Sequence, residues 1–155
     1  DHAAVFQANG EAYKKQLDDV SAWAKEKISA LPEDKRILVT SHDAFFYFGR
    51  AFGFDVRGLQ GVSTAAEAGL KDRSNLVEYL RSQGVKTVFA ETSINAKGIS
   101  AVAAEAGVAV SPQPLFSDAL GSSGDMETVD GETYDKGTYL GMVKHNVNSV
   151  VKGLK

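Results

Sequence analysis

Short apolar segments rich in β-branched residues alternate with helical patterns along most of this chain, and that alternation constrains its fold more than any other feature. Arg36-Ile-Leu-Val-Thr40 reads as a short buried strand, followed by a helix that carries Phe45, Phe48 and Phe52 and ends at Gly53. Phe54-Asp-Val-Arg57 is a weaker strand. Asp72 to Ser82 is a helix with Leu76, Val77 and Leu80 inward, closed by Gly84, and Lys86-Thr-Val-Phe-Ala90 is a strong strand. A helix from about Lys97 to Glu105 follows, ended by Gly107, and Val108-Ala-Val110 is the last strand. Strands that alternate with helices every roughly 20 to 30 residues imply βαβ units. The expected fold is therefore α/β, with a sheet of four parallel strands sandwiched by helices.

A long helix precedes this core. Tyr13, Leu17, Val20, Ala24 and Ile28 recur at steps of three and four with charged residues between them, so the pattern predicts an amphipathic helix from about Val5 to Ala30. At 1.5 Å per residue it would run roughly 35–40 Å, longer than one small domain requires. A last helix from about Thr138 carries Tyr139, Met142, Val143, Val147, Val150 and Leu154 on one face. Between the last strand and this helix, Ser111 to Gly137 reads as irregular, and its acidic second half as a solvated loop.

Composition narrows the function classes. The 155 residues suit one domain, and 17 Lys+Arg against 20 Asp+Glu leave a net charge of -3, which argues against a basic nucleic-acid surface. Cysteine is absent, so there are no disulfides, thiolate metal ligands or cysteine nucleophiles. No apolar run approaches the ~18 residues of a membrane span, and Asp1 to Gly10 lacks the basic start and apolar stretch of a signal peptide.

In open parallel sheets, ligands bind beyond the carboxyl ends of the strands. The residues there are Ser41-His42-Asp43 after the first strand, Glu91-Thr-Ser93 after the third, and Asp118 in the loop after the fourth. Imidazole and carboxylate together suit manganese, iron or zinc. His42, Glu91 and Asp118 are thus candidate metal ligands that form an incomplete shell. Composition is equally compatible with structural roles for all three. Glu91 tips the balance, because a carboxylate abutting an apolar strand is costly to desolvate unless a cation or donor meets it.

Other constellations carry less. Ser41, His42 and Asp43 resemble a hydrolytic triad on paper, but adjacent side chains diverge along the backbone, and no G-x-S-x-G elbow occurs. Gly58-Leu-Gln-Gly61 lacks a phosphate-loop signature and reads as a loop that permits close packing. The acidic stretch Asp125 to Asp135 lacks EF-hand spacing. Phe46 and Tyr47 cannot both face inward with Phe45 and Phe48. His2 falls at the terminus and His145 on the polar side of the last helix, both as structural or solvated residues rather than ligands.

Several blocks together resemble a known family. Leu38-Val-Thr-Ser-His42-Asp-Ala-Phe-Phe-Tyr-Phe-Gly49 and Gly58-Leu-Gln-Gly-Val-Ser-Thr-Ala-Ala-Glu67-Ala-Gly69 are similar to the C-terminal lobe of metal-specific solute-binding proteins of ABC importers. The similarity continues through Phe89-Ala-Glu91-Thr-Ser93, Leu115-Phe-Ser-Asp118-Ala-Leu-Gly121 and Thr138-Tyr-Leu-Gly-Met-Val-Lys-His-Asn146, and so covers essentially the whole chain.

The resemblance implies a metal held between two lobes joined by a long rigid helix. Residues 1–31 would be the latter part of that helix, and residues 32–155 the C-terminal metal-binding lobe. His42, Glu91 and Asp118 match the family's metal blocks, so the chain would supply about three of four protein ligands. The cargo would be Mn(II) or Zn(II). Oxygen-rich ligation, no histidine-rich loop, and Ala96 where some relatives have a histidine lean toward manganese, although zinc binds such donors at least as tightly. The implied partners are the N-terminal lobe and a membrane permease, in an extracytoplasmic setting, periplasmic or lipid-anchored. No enzymatic step is expected. An adhesin-type interaction module on the same fold is the alternative, followed by a small α/β enzyme. A metal takes the neutral imidazole, so affinity is expected to fall in acid.

Overall fold

The computed structural model describes residues 2–64 and 68–155. The part of the Gly58 to Gly69 block at residues 65–67 lies outside the described residues. Helix α1 (Ala3–Ser29) leads through a single 3-10 turn (Glu33–Lys35) into β1 (Ile37–His42), α2 (Phe46–Phe52) and β2 (Asp55–Gln60). Then come α3 (Leu70–Ser82), β3 (Thr87–Val88), α4 (Lys97–Ala106) and β4 (Ala109–Val110). Strands β5 (Met126–Val129) and β6 (Glu132–Asp135) precede the last helix, α5 (Tyr139–Leu154).

Strand β1 pairs in parallel with β2, and β3 with β4. A parallel bridge from Thr40 to Phe89, with the Phe89 N–H donating to the Val39 carbonyl at 2.8 Å, joins the two pairs in the order β2-β1-β3-β4. The expected parallel arrangement is therefore present, with β3 and β4 regular over only two residues each. A further bridge, Glu91 to Leu115, carries the β3 line past its regular part.

Alternation along the strands sorts the core onto two faces, because successive side chains point to opposite sides of a pleated sheet. Leu38 and Phe89 pack with Ala24, Ile28, Val147, Val150 and Leu115 on the side of α1 and α5. Val39, Val88 and Ala90 pack with Leu76, Leu80, Ile99 and Val102 on the side of α3 and α4. Each fully buried aliphatic or aromatic side chain contributes about 1.5–3 kcal/mol of transfer free energy. Helix α2 stops where Gly53 takes φ +75°, a left-handed conformation suited to glycine. Helix α5 starts where the Thr138 hydroxyl accepts the Gly141 N–H at 3.0 Å.

Helix α1 is buried only from Val20 onward, through Val20, Ala24 and Ile28. Tyr13, expected on the packed stripe, is exposed, as are Val5 and Phe6. Among the described residues no helix is long and apolar enough to cross a membrane.

Three local expectations are corrected. The acidic stretch is not a solvated loop. Residues 126–129 and 132–135 form an antiparallel hairpin whose turn residues, Asp130 and Gly131, have φ +53° and +82°. An Asp-Gly pair with both φ positive is the type I′ turn that matches strand twist. Gly58 lies within β2 rather than in a loop, since that strand runs on to Gln60. His145 is buried and faces the protein interior, because the hairpin covers what would otherwise be the polar side of α5.

Candidate metal centre

His42 ends β1, and Glu91 lies two residues beyond Phe89 on the adjoining β3 line. By alternation both side chains fall on the α5 side of the sheet, with Leu38 and Phe89. Both are buried; the side chains are 3% and 0% exposed. Asp118 comes from the loop after β4, and its side chain is 56% exposed.

The three residues picked from the sequence meet around the imidazole of His42. Its Nδ1 stands 2.7 Å from Glu91 Oε2, and its Nε2 stands 3.4 Å from Asp118 Oδ2. The backbone N–H of His42 donates to Glu91 Oε1 at 2.9 Å. The Nδ1 to Oε2 approach is close but off the direction of an aligned hydrogen bond, and neither atom has another hydrogen-bond partner. Two orphaned buried polar atoms facing each other leave the imidazole poised against a carboxylate.

Atoms bound to one ion at ~2.0–2.2 Å with angles between 90° and the tetrahedral value lie about 2.8–3.6 Å apart. The Nε2 to Oδ2 separation of 3.4 Å fits that range, and the Nδ1 to Oε2 separation of 2.7 Å lies at its lower edge. Among the described residues no group of three or more His, Asp or Glu side chains is disposed to hold an ion by itself.

Close packing of β2 against β1 supports the site. A Cβ on Gly58 would stand 2.6 Å from the Asp43 backbone nitrogen and 2.7 Å from the His42 carbonyl carbon. Only glycine lets the two backbones approach this closely at His42.

The paper triad is not assembled. The Ser41 hydroxyl is buried without a hydrogen-bond partner, and the ring nitrogens of His42 face Glu91 and Asp118. Phe46 and Tyr47 both point outward, 60% and 79% exposed, and pack edge to face with each other.

A second buried histidine lies behind the Asp118 loop and escaped sequence reasoning. His145 contacts Glu127 through Nδ1 at 2.7 Å and the Pro114 carbonyl through Nε2 at 2.9 Å, and its ring packs edge to face on Phe116. Burial works to raise the Glu127 pKa, but the hydrogen bonds with His145 and Tyr134 outweigh it and hold the carboxyl below its ordinary range. Tyr134, which donates to Glu127, is itself pushed well above the usual phenol range, chiefly by burial. The Asp-Gly turn signal at 130–131 could have announced the hairpin that brings Glu127 here.

Fold and site together define an α/β domain with an imidazole and two carboxylates gathered at the carboxyl end of a parallel sheet. The ZnuA family, zinc-uptake complex component A periplasmic, matches residues 1–153, and the chain belongs to it. The manganese-binding lipoprotein MntA of Bacillus subtilis is 43% identical over 159 residues, which is 99% of this chain and 49% of that protein. The zinc-binding protein TroA of Treponema pallidum is 42% identical over 153 residues, 96% of this chain and 47% of that protein. The solved structure of the periplasmic zinc binding protein TroA from Treponema pallidum superposes with a TM-score of 0.89 at 39% identity, covering 99% of this chain and 53% of that one. The chain thus spans about half the length of the curated relatives it matches.

Proposed function

We propose that this chain is the C-terminal, metal-holding lobe of an extracytoplasmic receptor for an ABC importer, with Mn(II) or Zn(II) as cargo. Of the three candidate residues, His42 takes the ion through Nε2 and Asp118 through its carboxylate. Glu91 supplies a third donor, its buried Oε2 facing Nδ1 of the ring without a hydrogen bond. The single observation that carries this reading is the convergence on one imidazole: Asp118 stands 3.4 Å from Nε2, and the buried Nδ1 and Glu91 Oε2 face each other at 2.7 Å with no hydrogen-bond partner.

The remaining ligands would come from a second lobe, to which residues 1–31 connect as the end of an interlobe helix, with residues 32–155 as the lobe itself. The exposed first half of α1 supports this division. The cargo follows from the donors together with the relatives, one named as manganese-binding and the other as zinc-binding. The role is capture and release beside a membrane permease, in the periplasm or on a lipid anchor, and no bond of a substrate is made or broken.

Calorimetric titration of the chain with manganese chloride and with zinc chloride tests the reading. The expected result is saturable binding of one ion that His42→Ala abolishes and Asp118→Ala weakens. Binding that survives unchanged in both variants removes the proposed site.

A further inference from the structure

Asp118 is too exposed for packing to aim its carboxylate, so its position depends on the backbone that leads to it. That backbone is held residue by residue. Leu115 pairs on one edge with the β3 line: its N–H donates to the Ala90 carbonyl at 2.9 Å, and its carbonyl accepts the Thr92 N–H at 2.9 Å. The polar groups of the next residue in an extended chain point to the opposite edge. At that edge the side-chain amide of Asn146, buried in the middle of α5, meets Phe116.

The Phe116 N–H donates to Asn146 Oδ1 at 2.9 Å, and Asn146 Nδ2 donates to the Phe116 carbonyl at 2.7 Å. Asparagine can do this because its side chain carries a donor and an acceptor in the geometry of a peptide group. One side chain thus stands in for a neighbouring strand. Ser117 is tied in turn, its hydroxyl 2.7 Å from that of Ser93 in the loop after Glu91. Leu115, Phe116 and Ser117 are therefore anchored in succession, and Asp118 is the next residue.

We infer that Asn146 is a positioning residue for metal binding: its amide clamps Phe116 and thereby aims the Asp118 carboxylate at His42. The inference rests on the reading of His42 and Asp118 as the metal ligands. Asparagine at this place would then set affinity, beyond satisfying two backbone groups.

The test uses Asn146→Ala and Asn146→Asp, alone and combined with Asp118→Ala, each titrated with zinc chloride and with manganese chloride. Asn146→Asp keeps the acceptor for the Phe116 N–H and loses the donor to its carbonyl, so it serves if the alanine variant does not fold. Asn146→Ala is expected to weaken metal binding about tenfold or more, and Asn146→Asp also to weaken it. In the Asp118→Ala background neither change has a further effect. Leu80→Ala, a core truncation on the opposite face of the sheet, destabilises the chain and leaves affinity unchanged. In the metal-free chain, amide hydrogen exchange at Phe116 accelerates in Asn146→Ala while the Leu115 amide stays protected.

Equal losses with and without Asp118 would overturn the inference, since Asn146 would then act on the fold at large. Wild-type exchange at Phe116 in Asn146→Ala would overturn it as well. Binding that needs Asp118 but ignores Asn146 removes the inference and leaves the metal reading standing. A wild-type chain that takes up neither ion removes both.

Discussion

Glu91 grips His42 at two points: Oε1 accepts the histidine's backbone N–H at 2.9 Å, and Oε2 stands 2.7 Å from Nδ1 of its ring. One buried carboxylate thus bears on both the backbone and the imidazole of a residue 49 positions away. It also accounts for an acid at the end of an apolar strand, where desolvation would otherwise be costly.

Replacing Glu91 separates its two contacts. Glu91→Ala leaves the His42 N–H without its acceptor and should cost about 1–3 kcal/mol in urea unfolding. Glu91→Gln can still accept that N–H and should cost less. Both should weaken zinc or manganese binding by about tenfold or more, because the site loses an anionic donor. Titration of Glu91→Gln that matches the wild type would rule out a part for Glu91 in metal binding.

Asp118 should behave differently. Its side chain is 56% exposed and stands 3.4 Å from His42 Nε2. Asp118→Asn is expected to leave the unfolding midpoint nearly unchanged, within about 0.5 kcal/mol as for other surface positions. Metal affinity should nevertheless drop sharply, and calorimetry beside a thermal melt reads both quantities. A large loss of stability would show that the carboxylate has a structural task instead.

Gly58→Ala probes the approach of β2 to β1. The added methyl would meet backbone rather than a movable side chain, at 2.6 Å from the Asp43 nitrogen. The strands must separate locally, at a cost of about 1–3 kcal/mol, and His42 must shift with them. Urea unfolding and metal titration should therefore both change. Wild-type values in both would mean that the strands have slack at this point.

Acid should loosen the hairpin. The Glu127 carboxyl is held below its ordinary value of 4.5, so the unfolded chain takes up its proton first as pH falls. The stabilisation is complete above that ordinary value and is lost as pH falls through the lower, folded one. Glu127→Gln should remove this part of the acid dependence and cost about 1–2 kcal/mol at neutral pH. Unfolding measured from pH 7 to pH 3 checks it, and identical acid profiles for the two proteins would exclude Glu127 as the source.

Much of the scaffold was legible from local pattern. The runs around Leu38 and Val88, the Leu76-Val77-Leu80 stripe and the helix ends at Gly53 and Gly107 all reflect short-range physics: side-chain period, capping and backbone freedom. His42, Glu91 and Asp118 could be picked as a group because strand ends are where such sheets gather polar groups. The hairpin at 126–135 leaves little trace in the sequence because its strands are short, acidic and mostly exposed or half exposed. Only the Asp-Gly turn marked it. With the hairpin unseen, His145 fell on the polar side of α5, although Glu127 and Pro114 enclose it.

The sequence by itself determined the alternation of strands and helices through β4, the last helix, most of the apolar faces they bury, and which polar residues arrive at the carboxyl end of the sheet. These follow from periodicity and chain direction, which act within a few residues. Only the tertiary structure decided which edge of the His42 ring meets which carboxylate, and that Asn146 stands where Phe116 needs a strand. Such choices depend on strand register and on how α5 docks across the sheet. Both are set by packing among residues far apart in sequence, where a shift of one residue would turn every side chain to the other face.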